Sequence, residues 1–324
     1  MIFITGLCPR RCFYCPLSSE RRGKDVFLVN EVRVASIRQV IAEIAKSGSE
    51  GASLTGGDPL VKPDRTLKVL EAVKSRFGGE FHVHLYTSGL TLTRELLRRL
   101  EEEGLDELRL HPPLDKLEQV LSVVEGREIC IGLELPVLPG EETALIRAAE
   151  LAEARGLDFL NLNELEFSEE NAAALLQRGY ELSDDYISAK GSLETGLRVL
   201  RALEEQCLKL NVHLCPVVVK DRYQTGLRLF RRAQVVGLPY ESISDEGTVY
   251  FLKVRGEVEV VPRRLLGGCT LTREEYFSEE WDEAWLVEAL PLDERMSLEE
   301  YPLVAGERED WVCRAGVYRL SSKP

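Results

Sequence analysis

The feature that most constrains the fold is a repeated unit of short apolar run, loop and amphipathic helix. Residues 2–4, 51–55, 80–86, 107–110, 128–135 and 158–162 read as six short strands. Between them, residues 34–47, 64–77, 93–103, 114–125 and 142–155 carry apolar side chains at helical spacing. Strand and helix alternating in this way predict an α/β chain, its parallel sheet curled into a partial TIM-type (β/α)6 barrel. Residues 210–214 can add a seventh strand, after helices expected at 169–180 and at 192–205, the latter with Ser192 as N-cap. In such sheets ligands sit at the C-terminal ends of the strands. The segment after each strand is therefore where chemistry is expected.

The first strand runs into Thr5-Gly6-Leu7-Cys8-Pro9-Arg10-Arg11-Cys12-Phe13-Tyr14-Cys15. One loop can thus wrap an inorganic centre with three thiolates, the usual ligands of iron–sulfur clusters. A 4Fe–4S cube takes four ligands, so three local ones leave one iron open. Free thiols would gain nothing from this spacing and would risk oxidation. Structural zinc prefers four closed ligands, and catalytic zinc more often includes histidine.

Cys8-x3-Cys12-x2-Cys15, with Tyr14 before the last cysteine, resembles the signature of the radical S-adenosylmethionine (SAM) enzymes. The resemblance implies that Cys8, Cys12 and Cys15 hold a 4Fe–4S cluster and that Tyr14 contacts the adenine of SAM. It implies that the open iron chelates the amino and carboxylate groups of SAM. One electron then cleaves the sulfonium, and the 5′-deoxyadenosyl radical formed takes a hydrogen atom from a substrate. Together with Thr55-Gly56-Gly57-Asp58-Pro59-Leu60, residues 160–168 (LNLNELEFS) and the segment 215–231, the loop resembles an archaeal group related to the activating enzyme of pyruvate formate-lyase. That group has no agreed substrate.

The ends of the later strands supply further candidates. Gly56-Gly57-Asp58-Pro59 is by itself a strand-to-helix turn whose glycines let backbone approach a ligand closely. Beside the cysteine loop it resembles the family's Gly-Gly-Glu-Pro segment, which contacts the SAM amino group, with Asp58 in place of glutamate. Ser88, in Tyr86-Thr87-Ser88-Gly89, matches a SAM-facing segment of relatives. His111 either faces the SAM ribose or substrate, or begins a solvated loop. Glu134 interrupts an apolar strand, where an unpaired carboxylate is costly, so pairing or a pocket is expected, with a role in holding SAM. Asn161 and Asn163 share one face of their strand and suit a polar ligand or a solvated rim. Lys220 and Asp221 are candidate catalytic residues near the same mouth, together with Cys215 and Gln224, if the seventh strand extends the barrel. Otherwise they form an ordinary surface ion pair.

The net charge of −14 argues against a broad surface for nucleic acid, which shows as a basic footprint. No apolar run reaches the roughly 20 residues of a membrane span. The eight cysteines suit a reducing cytoplasm better than a disulfide scaffold. Expected partners are a small-molecule, peptide or protein substrate and a reductant such as ferredoxin or flavodoxin. The rival from another class is a non-enzymatic iron–sulfur protein for electron transfer or redox sensing, which would need a fourth cysteine beside the loop. An auxiliary cluster would have to draw on Cys215, Cys269 and Cys313, which no tight spacing links.

From about residue 240 the alternation stops. Residues 247–254 and 257–262 read as a hairpin about Arg255-Gly256, followed by a helix near 272–282, an apolar run at 284–290 and a strand-like 311–320. The expected organisation is a barrel domain over 1–238 and a small α+β appendage over 239–324.

Overall fold

The protein is described by a computed structural model over residues 1–237, 242–245, 247–254, 269–273, 296–302 and 318–322. The side chains of Asp221, Arg222 and Ser242, and those from Tyr250 onward, lie outside the described residues. The chain divides into two compact units, Met1–Ile44 with Glu50–Asp221, and Ala45–Ser49 with Arg222–Pro324.

The first unit opens with β1 (Ile2–Thr5) and a short hairpin, β2 (Leu28–Val29) and β3 (Val32–Arg33). It then alternates α1 (Ile37–Lys46), β4 (Gly51–Gly56), α2 (Pro63–Phe77), β5 (His82–Thr87), α3 (Arg94–Glu102), β6 (Glu107–Leu110), α4 (Leu117–Val123), β7 (Cys130–Val137), α5 (Glu142–Ala154) and β8 (Phe159–Glu164). Next come α6 (Ala172–Leu176), α7 (Ser192–Glu205) and β9 (Asn211–Cys215). The sheet order is β3-β2-β1-β4-β5-β6-β7-β8-β9, with β1 and β4 to β9 parallel. This is the expected six-stranded parallel array extended by the seventh strand, an open sheet rather than a closed barrel.

The period-two pattern of the strands decides what each face of the sheet does. Leu54, Leu85, Leu108 and Ile131 share one register row, Leu110, Leu133 and Leu160 another, and all seven are fully buried in one core with the helices. Each such side chain contributes about 2 kcal/mol. The alternate positions carry a polar series: Tyr86 opposite Arg109, then Glu134 opposite Asn161 and Asn161 opposite His213. Helix ends are set by local chemistry. Thr93 caps α3 by accepting from Leu96 N, and α2 starts on Pro63 and stops at Gly78, whose φ is 88°.

Two features depart from the sequence reading. The β2–β3 hairpin gives no sequence signal, because its strands have two residues each and its turn residues Asn30 and Glu31 adopt positive φ without a glycine. The helix expected over 169–180 contracts to Ala172–Leu176. Gly179 turns the chain back at φ 83°, and Glu166–Ser188 and Leu182–Ala189 bridges close the excursion between β8 and α7.

A π-helical turn (Val219–Thr225) begins at the end of the first unit and runs into the second, where it leads to α8 (Gly226–Val236), followed by β10 (Ser242–Ile243), β11 (Thr248–Val254), β12 (Cys269–Arg273), β13 (Met296–Pro302) and β14 (Tyr318–Ser322). β11 runs antiparallel between β10 and β13, and β12 pairs with β14. The expected strand at 247–254 is β11. Its expected hairpin partner at 257–262 and the apolar run at 284–290 lie outside the described residues. Of the helix expected at 272–282, Thr272 and Arg273 belong to β12 and the remainder lies outside.

Candidate active site

The parallel strands deliver their C-terminal ends to one edge of the sheet, and the cysteine loop sits there because β1 points that way. Gly6 fixes the loop's base. Its N–H donates to Lys24 O (2.9 Å) and its carbonyl accepts from Gly23 N (2.8 Å), so the loop closes on itself. A Cβ at Gly6 would lie 1.7 Å from Arg21 O, which only glycine avoids. Cys8 is exposed, while Cys12 and Cys15 are half-buried.

The glycine turn after β4 packs directly against this loop. Gly57 N donates to Thr5 O (2.7 Å) and Asp58 N to Leu7 O (2.8 Å). A Cβ at Gly57 would stand 2.5 Å from Leu7 O, backbone against backbone. Asp58 is fully buried. Its Oδ1 accepts from Leu60 N (3.0 Å) and Thr87 Oγ1 (2.8 Å), and its Oδ2 from Ser88 N (3.0 Å) and Ser88 Oγ (2.5 Å). The Asp58 and Ser88 side chains are thus spent on each other. They tie the ends of β4 and β5 together, and the contacts left to a ligand here are backbone ones.

A second brace joins the loop to β6. Arg10 donates to the His111 carbonyl and, at 3.1 Å, to the Tyr14 hydroxyl. Tyr14 Oη lies 3.1 Å from His111 Nε2, and the two rings stack at 5.9 Å. Since the guanidinium has only donors, Tyr14 accepts from it and has its own proton for His111. Burial, with Arg10 nearby, pushes the imidazole down to about 3, so it is neutral. His111 is therefore a packed partner of Tyr14 and not a solvated loop residue.

The excursion after β8 holds the loop from its other side. Asn171, almost wholly buried, donates to Tyr14 O (3.0 Å) and Glu166 O (2.9 Å) and accepts from Ser168 N (2.8 Å). Phe13 stacks on Tyr180 at 6.1 Å, with the Arg178 guanidinium 4.4 Å from the Phe13 centroid.

On the polar face of the sheet, Glu134 resolves the cost of a carboxylate in an apolar strand. Its Oε1 accepts from Arg109 Nη1 (3.0 Å) and Asn161 Nδ2 (2.7 Å), and its Oε2 from Asn163 Nδ2 (2.7 Å). Arg109 also donates to Tyr86 Oη (3.0 Å) and to Glu107. The Tyr86 hydroxyl is pushed up to about 12, first by burial and then by the Glu134 charge. Next to it, burial and the Arg109 charge push His84 down to about 3, and its buried Nδ1 has no hydrogen-bond partner among the described residues. Sequence reading found Glu134, Asn161 and Asn163 but missed Arg109, although Glu107-x-Arg109-x-His111 is a polar alternation on a buried strand. Asn171 gave no local signal at all.

The other candidates lie at and after the end of β9, where Cys215 stands in register beside Asn163. Lys220 Nζ lies 3.6 Å from Glu166 Oε2, and both are partly exposed. Cys215 is buried at the end of β9 with its thiol pushed up chiefly by burial. Cys313 and the side chains of Asp221 and Cys269 lie outside the described residues.

The donor set fits a 4Fe–4S cluster. Partial shielding of the Cys8 sulfur pushes its thiol up to about 11 although the residue is exposed, and the charges of Asp58, Cys12 and Cys15 push the same way. Three thiolates this close need compensating positive charge, which iron supplies. Thiolates of a cube bind different irons, so they need not converge on one point. Among the described residues, no three His, Cys, Asp or Glu are placed to hold a single ion.

The model of the Radical SAM superfamily matches residues 2–130. A protein of Methanocaldococcus jannaschii described as "Putative glycyl-radical enzyme activating enzyme" is 40% identical over 260 residues, 76% of this chain and 68% of that one. A PqqA peptide cyclase of Bradyrhizobium diazoefficiens is 32% identical over 107 residues, 32% of this chain and 26% of the cyclase. The crystal structure of Streptococcus suis SuiB bound to precursor peptide SuiA superposes with a TM-score of 0.49 at 11% identity, covering 68% of this chain and 49% of that one. With the three cysteines, the glycine turn and the parallel sheet already in place, the chain belongs to the radical SAM superfamily and is an enzyme that uses a 4Fe–4S cluster to cleave SAM reductively.

Proposed function

We propose that this enzyme removes a hydrogen atom from a peptide or protein substrate, with the backbone glycine of a partner enzyme as the best-supported target. In this reading Cys8, Cys12 and Cys15 ligate the cluster. Tyr14, oriented by Arg10 and His111, meets the adenine. The backbone of Gly56, Gly57 and Pro59, set by Asp58 and Ser88, takes the SAM amino group, and Glu134 with Asn161 and Asn163 holds its polar remainder. Lys220 and Asp221 are the candidate catalytic residues of this reading.

The observation that carries the reading is the direct packing of the glycine turn on the cysteine loop, Gly57 on Thr5 and Asp58 on Leu7. It unites the two segments at one sheet edge, beside a polar strand face that can hold a charged ligand. The relative from Methanocaldococcus jannaschii supports the glycine target. An open sheet supports a polypeptide, since among the described residues neither β3 nor β9 pairs with a further strand. Electron-transfer duty alone is not favoured, because it gives the glycine turn and the Glu134 network nothing to do. A cluster sensitive to oxidation suits a reducing cytoplasm, and no helix among the described residues is long and apolar enough to cross a membrane.

The test is anaerobic. Reconstituted protein is mixed with SAM, dithionite and a peptide whose glycine carries deuterium at Cα. One Cα–D bond breaks and one C–D bond forms at the 5′ carbon, so deuterium must appear in 5′-deoxyadenosine. Product that lacks deuterium with glycine peptides of every sequence tried would reject the glycine target. Product that persists after Cys12→Ala would reject the ligand assignment.

A further inference from the structure

Arg10 stands between two of the three cysteines and turns inward. Its backbone N–H donates to Cys8 Sγ (3.4 Å), and its guanidinium donates to the Tyr14 hydroxyl (3.1 Å) and to the His111 carbonyl. Burial pushes the ionisation of that hydroxyl up, Arg10 pulls it down, and the Cys12 sulfur, hydrogen-bonded to it, pushes it up again. One residue therefore touches a first thiol through its backbone and reaches a second through a shared tyrosine.

What the guanidinium lacks is a carboxylate. Arg21, Arg65, Arg109 and Arg127 are half-buried, as Arg10 is, and they pair with Glu31, with Asp25, with Glu107 and Glu134, and with Asp158. Arg10 forms no ion pair among the described residues, on a chain with 55 acidic side chains. Its side-chain partners are a carbonyl and a hydroxyl, and the imidazole stacked on Tyr14 is neutral as well. A cation drawn out of water toward neutral groups is costly unless an anion answers it. Three thiolates holding a cluster are the anion that this loop itself supplies.

We propose that Arg10 is the counter-charge of the cluster and makes it easier to reduce. The inference rests on the cluster assignment above and adds what sets the cluster's potential. Reduction adds one electron, supplied by dithionite in the test below, and so one negative charge beside the guanidinium. A positive charge fixed there stabilises the reduced form more than the oxidised one. Net charge and hydrogen bonds at the sulfurs are what tune such potentials. Arg11 carries the same charge but is exposed, where water and salt screen it. Burial, not the count of charges, singles out Arg10.

The experiment is a dithionite titration of the reconstituted protein without SAM, in which the EPR signal of the reduced cluster gives the midpoint potential. Arg10→Gln keeps hydrogen-bond donors but loses the charge. It should lower the equilibrium constant for one-electron reduction about tenfold, about 59 mV. Arg10→Lys, which keeps the charge but not the planar fork, should stay within about twofold of wild type, and so should Arg11→Gln. Equal midpoints in wild type and Arg10→Gln, or a larger shift in Arg11→Gln than in Arg10→Gln, overturn the proposal. So does a shift that appears only once SAM is added, which would assign the guanidinium to the SAM carboxylate instead. If Arg10→Gln takes up no iron, a cluster retained by Arg10→Lys supports the role of the charge, and its loss there too overturns it. A wild type that holds no iron would overturn the cluster assignment itself, and the proposal with it.

Discussion

Arg109 on β6 and Glu134 on β7 face each other across the polar side of the sheet, Nη1 to Oε1 at 3.0 Å, with about a fifth and a tenth of their side chains exposed. The pair is the centre of a network that also takes in Tyr86, Asn161 and Asn163. Removing Arg109 leaves the Glu134 carboxylate buried with only the Asn161 and Asn163 amides to answer it, whereas removing Glu134 leaves Arg109 still paired with Glu107. Arg109→Met should therefore cost about 3 kcal/mol in urea denaturation, whereas Arg109→Met/Glu134→Leu should recover most of that loss. A single variant as stable as wild type would show that the network is solvated.

Asp58 accepts four hydrogen bonds with no exposed surface, in a place shaped for its short side chain. Lengthening it by one methylene, Asp58→Glu, forces the carboxylate into Thr87 and Ser88. Thermal denaturation should report a loss of about 1–3 kcal/mol. SAM affinity, measured by equilibrium dialysis, should weaken with it, although the Gly-Gly-Glu-Pro segment that this turn resembles carries glutamate.

Gly57 has backbone oxygens of Gly6 and Leu7 within 2.7 Å of where a Cβ would stand. Gly57→Ala must push the turn away from the cysteine loop. The variant is expected to retain iron, because the three cysteines are untouched, and to lose at least about a hundredfold in SAM cleavage through misplacement of the two segments. Iron content and 5′-deoxyadenosine, assayed together, separate these effects.

His84 has a folded-state value near 3, lowered by burial and by Arg109. Above pH 6.5 it is neutral in both states and has no effect on stability. As the pH falls from about 6.5 toward 3, the unfolded chain binds a proton that the folded chain refuses, so stability declines by up to about 1.4 kcal/mol per pH unit from this residue. His84→Asn should flatten the pH dependence of the denaturation midpoint in that window, leaving the parallel contribution of His111.

Much of this was legible beforehand, for reasons that are local. Each strand and the helix after it were written in the apolar spacing of residues such as Leu96, Leu97 and Leu100, and three cysteines within eight residues can find one another with no help from the fold. Arg109 was legible in principle as one of a polar series on a buried strand. Asn171 was not, since it meets Tyr14 only after 157 residues of chain have folded.

The sequence alone determined the parallel α/β array, the cysteine loop and its cluster chemistry, because periodicity and close spacing act over a few residues. Only the tertiary structure decided that Asp58 spends its carboxylate on Thr87 and Ser88 and that Arg109 neutralises Glu134. The same holds for Asn171, Arg178 and Tyr180, which clamp the cysteine loop. Those outcomes depend on which elements lie beside which, and for Arg109 and Glu134 on register as well, since a one-residue shift would turn them to the opposite face.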